Sequence, residues 1–483
     1  MLKISEFEPK KVFYYFEEIS KIPRGSGNTA KIAEYCLDFA QKRGLKAIKD
    51  NSGNVVIYAN GTNGYENSEP LILQGHFDMV CEKVAESNID MQNQGITLCT
   101  DGESVWADGT TLGADDGIAI AYILALLDSD DIPHPPIEAL LTNDEEIGML
   151  GARELDISLL KGRRLINIDS EEEGIITVSC AGGVRAYCDL PLNFVQASTD
   201  MIAFKLKISG LLGGHSGIDI NKHRKNANIL LGRLLQHIFR TSEIYVSDID
   251  GGKKTNVIPQ QSECVICAKD ISEAEIEKSV KGFNNIIKRE IGHLEPDVKI
   301  TLKRCDVPEY HTDNDSTRKL IFTLLQVPNG VQSMSPDIPE MVQTSLNLGE
   351  LSVVNNSLKM AFFIRSNAST GKQLTVQKLL SFITYLYGSV EFRADYPAWE
   401  YRPQSPLRDI MTKAYQEYYS DMPQIQSIHA GLECGILASK MNDLDIVSFG
   451  PDISNVHTPK EIMNIESVQR TWYYLLKVLE MCK

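Results

Sequence analysis

No apolar run in this chain is long enough to cross a bilayer. The longest, "GIAIAYILALL" (117–127), falls well short of the roughly 20 residues that a spanning helix needs. A membrane is therefore not an expected partner. The opening stretch, "MLKISEFEPKKVFYYFEEIS", interleaves charge with apolar residues and holds no secretory h-region, so the expected compartment is the cytoplasm. Positive charge is also in deficit. The 48 Lys and Arg face 65 Asp and Glu, a net charge of −17. Phosphate binding needs a basic surface, so nucleic acid is not an expected partner either. Nor is there a disulfide framework, because the ten cysteines are scattered over 483 residues. Cys264 and Cys267 form one CxxC in "ECVICAKD", with no second pair to follow it. On a strand their side chains would point to opposite faces, so they are expected to be ordinary buried thiols in a reducing compartment.

With 43% hydrophobic and 23% charged residues, the chain has the composition of a soluble globular protein. Its length predicts about two to four domains. The first third alternates strand and helix patterns. "TAKIAEYCLDFAQKRG" (29–44) has helical spacing and stops at a glycine, and "DDGIAIAYILALLDS" (115–129) reads as a buried helix. "NVVIYA", "PLILQGHFD", "IEALLTNDEE" and "RLINIDSEE" read as strands. That alternation predicts an α/β domain, a mixed sheet flanked by helices. In such sheets, sites collect at the carboxyl ends of strands.

From about residue 187 the order changes to β-α-β-β-α-β, the split βαβ (ferredoxin-like) pattern, with "NKHRKNANILLGRLLQHIFR" (221–240) as its first helix. An α-β-β-α-β order then follows. The expected organisation is therefore a catalytic domain of residues 1–186 and 394–483. Residues 187–393 would be an inserted domain of two related α+β lobes. The proline-rich "DYPAWEYRPQSP" reads as the returning linker.

Three acidic or histidine clusters follow apolar strands: "GHFD", "NDEE" and "DSEEE". The candidate ligands are His76, Asp78, Asp115, Glu145, Glu146, Asp169 and His457. A lone His-x-Asp is ordinarily a surface or core pair and an Asp-Glu-Glu run a solvated turn, so the ordered set carries the weight. Two histidines with several carboxylates suit zinc, or manganese and cobalt, better than calcium or magnesium. If two metals lie about 3.5–4 Å apart, one carboxylate usually bridges them. Dications would also explain how Glu145 and Glu146 tolerate each other.

The ordered set resembles the di-zinc metallopeptidases of family M20. "FEEISKIPRGSGN", "LQGHFDMVCEK", "GTTLGADDGIA", "TNDEEIGMLGA", "NIDSEEEG", "GLLGGHSGIDI", "IHAGLECG" and "GPDISNVHTP" resemble, within it, the aminoacyl-histidine (Xaa-His) dipeptidase group, over essentially the whole chain. The resemblance implies a zinc-peptidase-like catalytic domain with a two-lobed lid. It implies two divalent metals, most simply zinc, with His76 and Asp169 on one, Glu146 and His457 on the other, and Asp115 bridging. It implies that the peptide bond after Asp115 is cis, and that Asp78 accepts a hydrogen bond from His76 and orients it. Glu145 would be the general base for a metal-activated bridging water. His215, in "GGHSG", would be a lid histidine that stabilises the oxyanion, delivered within one chain by the doubled lid or across a homodimer.

Arg365 in "FFIRSN" is a candidate for the substrate carboxylate, against the alternative of a surface ion pair. Asn256 is a lesser lid candidate, and His429 and Glu433 in "HAGLECG" are expected in the substrate pocket. His134, His223, His237, His293 and His311 fall outside any motif and read as structural or exposed. The expected function is hydrolysis of Xaa-His and related dipeptides. The alternatives are a broader dipeptidase, tripeptidase or amidohydrolase on the same scaffold, and a non-catalytic binding protein that keeps the fold.

Overall fold

Four strands with few charges lie side by side and parallel: Ile137–Thr142, Leu71–His76, Arg164–Asn167 and Asp445–Ser448. Nearly every residue in them is buried on both faces, which is why they read as continuous apolar runs rather than as alternation. This computed structural model describes residues 3–483. The four strands are the middle of an eight-stranded mixed sheet. Lys46–Lys49 and Val55–Ala59 complete one side, and Ile175–Cys180 and Gln424–Ile428 the other. The helix Ala114–Leu127 follows Leu71–His76 in the chain, and every residue in it except Asp115 is buried. It is apolar all round because it is covered all round.

The chain divides into two units. The sheet just described belongs to the first, made of residues up to Cys180 with Tyr401–Ser427 and Leu432–Lys483. The second unit is Ala181–Glu400 with Ile428–Gly431. It is therefore wider than the 187–393 expected from sequence. It takes in the whole of the strand Gly182–Pro191 and of the strand Ser389–Tyr396, and a short return that carries His429.

A nine-stranded sheet organises the second unit. One half has the spatial order Lys299–Cys305, Ile202–Ser209, Ser262–Ala268, Ile244–Gly251. The other has the order Val342–Val354, Ser357–Ser366, Gly182–Pro191, Ser389–Tyr396, with Gly330–Met334 added beside Val342–Val354. Numbered along the chain, the four main strands of each half lie 4-1-3-2, and each half is β-α-β-β-α-β. The sequence pattern missed the first strand of the second half because the entire first half is inserted between that strand and its helix, Asn314–Gln326. The halves join where Asp250 pairs with Ser352 and Gly251 with Leu351. Their helices bury a shared core that includes Phe204, Leu231, Leu234, Leu324, Phe362 and Leu379.

The helix expected over 221–240 is shorter, Ala227–Phe239, because the Asn226 side chain caps it by accepting from the amides of Asn228 and Ile229. All ten cysteines are free. Cys264 lies in the main core and Cys267 in a separate small cluster with Met201 and Ala203, as opposite faces of one strand require.

Candidate active site

The central strands of the first unit end at one level, with His76 in register with Thr142 and Gln74 with Asn167. The loops beyond these ends carry the candidate residues. The strand itself stops at His76, and Asp78 lies just past it. There Asp78 accepts from Ser26 Oγ at 2.7 Å and from the amides of Glu145 at 3.0 Å and Glu146 at 3.3 Å. Its Oδ1 lies 3.4 Å from His76 Nδ1, whose nearer neighbour is the Asp78 carbonyl at 3.2 Å. Asp78 thus fixes both the imidazole and the acidic turn. In that turn Asp144 is directed away, accepting from the Gly27 amide at 2.6 Å. The three consecutive acids therefore do not share one position.

Asp115 sits in the first turn of Ala114–Leu127, where its φ of −79° and ψ of 106° leave the helical region. The Asp115–Asp116 peptide is cis. One Asp115 oxygen lies 3.1 Å from His76 Nε2 and the other 3.0 Å from His457 Nε2. His457 Nε2 is also 3.0 Å from Glu146 Oε1, and His76 Nε2 is 3.7 Å from Asp169 Oδ1. Ligand atoms in each of three sets lie within 4.8 Å of one another: His76, Asp116 and Asp169; His76, Glu145 and Glu146; Asp115, Glu146 and His457. Asp116 already accepts from the His76 amide at 3.1 Å, which leaves Asp115 as the carboxylate turned toward both histidines.

This donor set fits divalent transition cations. Glu146 Oε1 is buried with no hydrogen bond of good geometry, an orphan that a cation would satisfy. Among the described residues, the ion pairs of these carboxylates run only to His76 and His457. The nearby carboxylates of Asp115 and Glu146 push His457 up to about 11. Burial works to lower His76, but Asp115, Asp169 and Asp78 outweigh it and hold it well above its ordinary value. Glu145 is half-buried. Burial, together with Asp169, Glu433 and Glu146, pushes its carboxyl well above the usual range, against the partial offset of His76.

Glu433, expected in the substrate pocket, is enclosed by protein. It is 0% exposed, at the first turn of the helix Glu433–Lys440. There it accepts from Gln74 Nε2 at 2.7 Å and Thr142 Oγ1 at 2.6 Å. Its environment is a polar network within the strands, because Gln74 Oε1 in turn accepts from Asn167 at 2.6 Å. Burial pushes its carboxyl up to about 8.

Sequence reasoning assigned no role to Arg24 or Glu461. Arg24 is 1% exposed and donates to the carbonyls of Phe77 and Asp78 at 3.0 and 3.2 Å and of Gly113 at 2.5 Å. Glu461 is 2% exposed and accepts from the backbone around Asp115. The available signals were a basic residue in "IPRGSGN" and an acid four positions beyond His457 in "HTPKE".

The second unit gathers its own cluster. Arg365 is 4% exposed, so it is not the surface ion pair left open by the sequence, and among the described residues it pairs with no carboxylate. Its Nη1 donates to Tyr396 Oη at 3.3 Å, and the guanidinium stacks 4.0 Å over Phe363. Its Nη2 lies 3.3 Å from His215 Nε2. The amides of Gly217 and Ile218 point at His215 Nδ1 from 3.3 and 3.2 Å, so both ring nitrogens face donors. Burial and Arg365 lower His215 to about 4. His429 accepts from Ser345 Oγ at 2.8 Å and donates from Nδ1 to Asn367 Oδ1 at 3.0 Å. Burial, Arg365 and His215 lower it to about 3. Asn256 enters through its carbonyl, which accepts from the Ser216 amide at 2.9 Å.

Residues 72–481 match peptidase family M20/M25/M40. The chain is 35% identical over 480 residues to the cytosol non-specific dipeptidase of Escherichia coli (strain K12), with 99% of each protein covered. It matches the crystal structure of aminoacylhistidine dipeptidase from Vibrio alginolyticus with a TM-score of 0.95 at 34% identity, over 99% of this chain and 98% of that one. A crystal structure of an aminopeptidase from Bacillus cereus matches with a TM-score of 0.58 at 13% identity, over 98% of each chain, a likeness of fold alone.

Proposed function

This chain belongs to peptidase family M20/M25/M40, and from that membership we propose that it is a cytosolic metallodipeptidase that hydrolyses Xaa-His and related dipeptides. The observation that carries the reading is Asp115, with one carboxylate oxygen 3.1 Å from His76 and the other 3.0 Å from His457. A carboxylate so placed can serve two cations at once. His76 and Asp169 would hold one, Glu146 and His457 the other, with zinc preferred and manganese or cobalt compatible. Two such cations, when bound, activate a water and polarise the scissile carbonyl.

The rest of the chemistry belongs to the chain's own residues. Glu145, whose carboxyl has a raised proton affinity, takes the proton of the attacking water and returns it to the leaving amine. Asp78 keeps His76 and the Glu145 turn in register through the contacts described above. His215 presents Nε2 beside the Nη2 of Arg365, 3.3 Å away. With the ring proton on Nε2 both groups are donors, and a substrate that brings negative charge to each satisfies them. In this reading His215 donates to the developing oxyanion, and Arg365 binds the free carboxylate of the dipeptide, with Asn256 and the neutral His429 lining the same cluster. Recognition of a carboxylate one residue beyond the scissile bond directs cleavage to the last peptide bond of a free-acid substrate. A broader dipeptidase is the second reading, favoured by the name of the Escherichia coli relative, a non-specific dipeptidase.

The test measures metal content and kcat/KM on Xaa-His dipeptides, other dipeptides, tripeptides and C-terminally amidated dipeptides, each with zinc, manganese and cobalt. Preference for Xaa-His with two metals per chain is expected. Equal kcat/KM across all C-terminal residues replaces Xaa-His specificity with the broader reading. Amides cleaved as fast as free acids remove Arg365 from carboxylate recognition, and no dipeptide turnover at full metal loading rejects the function.

A further inference from the structure

Glu461 uses both carboxylate oxygens on consecutive amides of one turn. Oε2 accepts from Leu112 at 2.8 Å and Gly113 at 2.9 Å, and Oε1 accepts from Ala114 at 2.8 Å and Asp115 at 3.4 Å. That turn carries Asp115. Glu461 itself follows His457 by four residues, and His457 touches Asp115 from 342 residues away in sequence. The two loops are therefore joined twice, once through candidate metal ligands and once through Glu461.

Arg24 grips the same turn from the other side. Its Nη2 donates to the Gly113 carbonyl, while its Nη1 holds the carbonyls of Phe77 and Asp78, next to His76. The Gly113 residue is thus held at its N–H by a buried carboxylate and at its C=O by a buried guanidinium. Glycine is required there. Its φ is +64°, and a Cβ would lie 2.7 Å from Arg24 Nη2. Three loops bearing His76, Asp115 and His457 are tied by one buried pair of opposite charges that itself contributes no ligand.

We propose that Glu461, backed by Arg24, is a positioning residue. It holds the Asp115 backbone so that the two carboxylate oxygens face His76 and His457 before any cation arrives. This rests on the reading of His76, Asp115, Glu146, Asp169 and His457 as ligands. Outer partners of metal ligands are worth about 10–100-fold in metal affinity, and Glu461 acts on the one ligand assigned to both cations. The bland alternative is that Glu461 only satisfies the amides at a helix start and so supports the fold. Glu138 provides the comparison. It is 4% exposed and accepts from the amides of Lys161 and Gly162, the same chemistry without a ligand on the turn.

The experiment titrates chelator-stripped protein with zinc, and separately with cobalt while recording the visible spectrum, for wild type, Glu461→Gln, Glu461→Asp and Glu138→Gln. Melting temperature of the stripped protein is measured alongside. Glu461→Gln puts an NH2 against amide donors and should lower zinc affinity by about 10–100-fold and alter the cobalt spectrum. Glu461→Asp keeps the charge and should recover part of the affinity. Glu138→Gln should lower the melting temperature and leave affinity and spectrum alone. A folded Glu461→Gln with wild-type affinity and spectrum overturns the proposal. So does a wild-type response of Glu461→Asp if the glutamine variant does not fold. Equal affinity losses in Glu138→Gln and Glu461→Gln assign both to general stability and overturn it as well. A wild-type chain that binds neither metal rejects the ligand reading itself, and the inference falls with it.

Discussion

Replacing Glu145 with glutamine should move activity and stability in opposite directions. The turn that carries Glu145 is held by its backbone. The Glu145 amide donates to Asp78 at 3.0 Å, and its carbonyl accepts from Gly148 at 2.9 Å and Met149 at 2.6 Å. Asp144, at a φ of 52°, anchors the preceding residue to Gly27. Among the described residues no hydrogen bond of this scaffold uses the Glu145 carboxylate, and glutamine has the same shape. What disappears is a proton acceptor. A lost general base typically costs about 10²–10⁴ in rate, or roughly 2.7–5.5 kcal/mol of transition-state stabilisation at 1.36 kcal/mol per tenfold.

Stability should respond the other way. Burial and the neighbouring acids raise the Glu145 carboxyl above its ordinary value of 4.5. The folded state therefore binds this proton more tightly than the unfolded chain does. Stability is lost as pH rises from that value toward the folded one, so ionising Glu145 opposes folding. Metal-stripped Glu145→Gln should melt at or above wild type. The assay pairs kcat on a saturating Xaa-His dipeptide with metal content and the melting temperature of chelated protein. Near-wild-type kcat refutes the assignment of the base. A fall in metal content or melting temperature refutes the structural argument, since it makes Glu145 a ligand or a prop.

His215→Ala should lower kcat about 100–1,000-fold with metal content and melting temperature unchanged; unchanged kcat removes His215 from the oxyanion. His429, held at about 3 against an ordinary 6.5, should make the second unit acid-sensitive. The unfolded chain takes this proton first, so the stabilising contribution is complete above pH 6.5 and is lost as pH falls toward 3. The full extent is on the order of 5 kcal/mol. His429→Gln should flatten the denaturation midpoint between pH 7 and 4, and parallel pH curves for variant and wild type would sink this account.

Most of the metal cluster could be read from the chain because apolar strands announce their own carboxyl ends. His76, Glu145, Glu146 and Asp169 each follow a run with few charges, and residues past a strand end must face outward from the sheet. Asp115 and His457 follow no such run; they entered the candidate set through their residue types, and only the resemblance implied which cation each would hold. Arg24 and Glu461 were invisible for a different reason. Both act on backbone groups, and a carbonyl or an amide leaves no mark in the spacing of side chains. Glu433 misled because glycines on either side suggest open approach to a ligand, whereas here Gln74 and Thr142 enclose it. The second half of the inserted sheet looked one strand short because its first strand precedes the other half in the chain.

That nesting sets the order in which the second unit can be made. Every strand of the inner half emerges within one uninterrupted stretch, so its contacts are local and it can close early. The outer half cannot. Asp189, on Gly182–Pro191, meets Ser357 168 residues later. At roughly 5–20 residues per second of synthesis, the strand Gly182–Pro191 waits about 8–34 s before its partner is made. During that time its alternating apolar face is an unpaired edge. The inner half presents Asp250 and Gly251 as the edge on which Val342–Val354 aligns. A chain cut or stalled after Cys305 would carry one finished half-sheet and one adhesive orphan strand, so nascent chains of this protein should depend on chaperone cover chiefly between those two points.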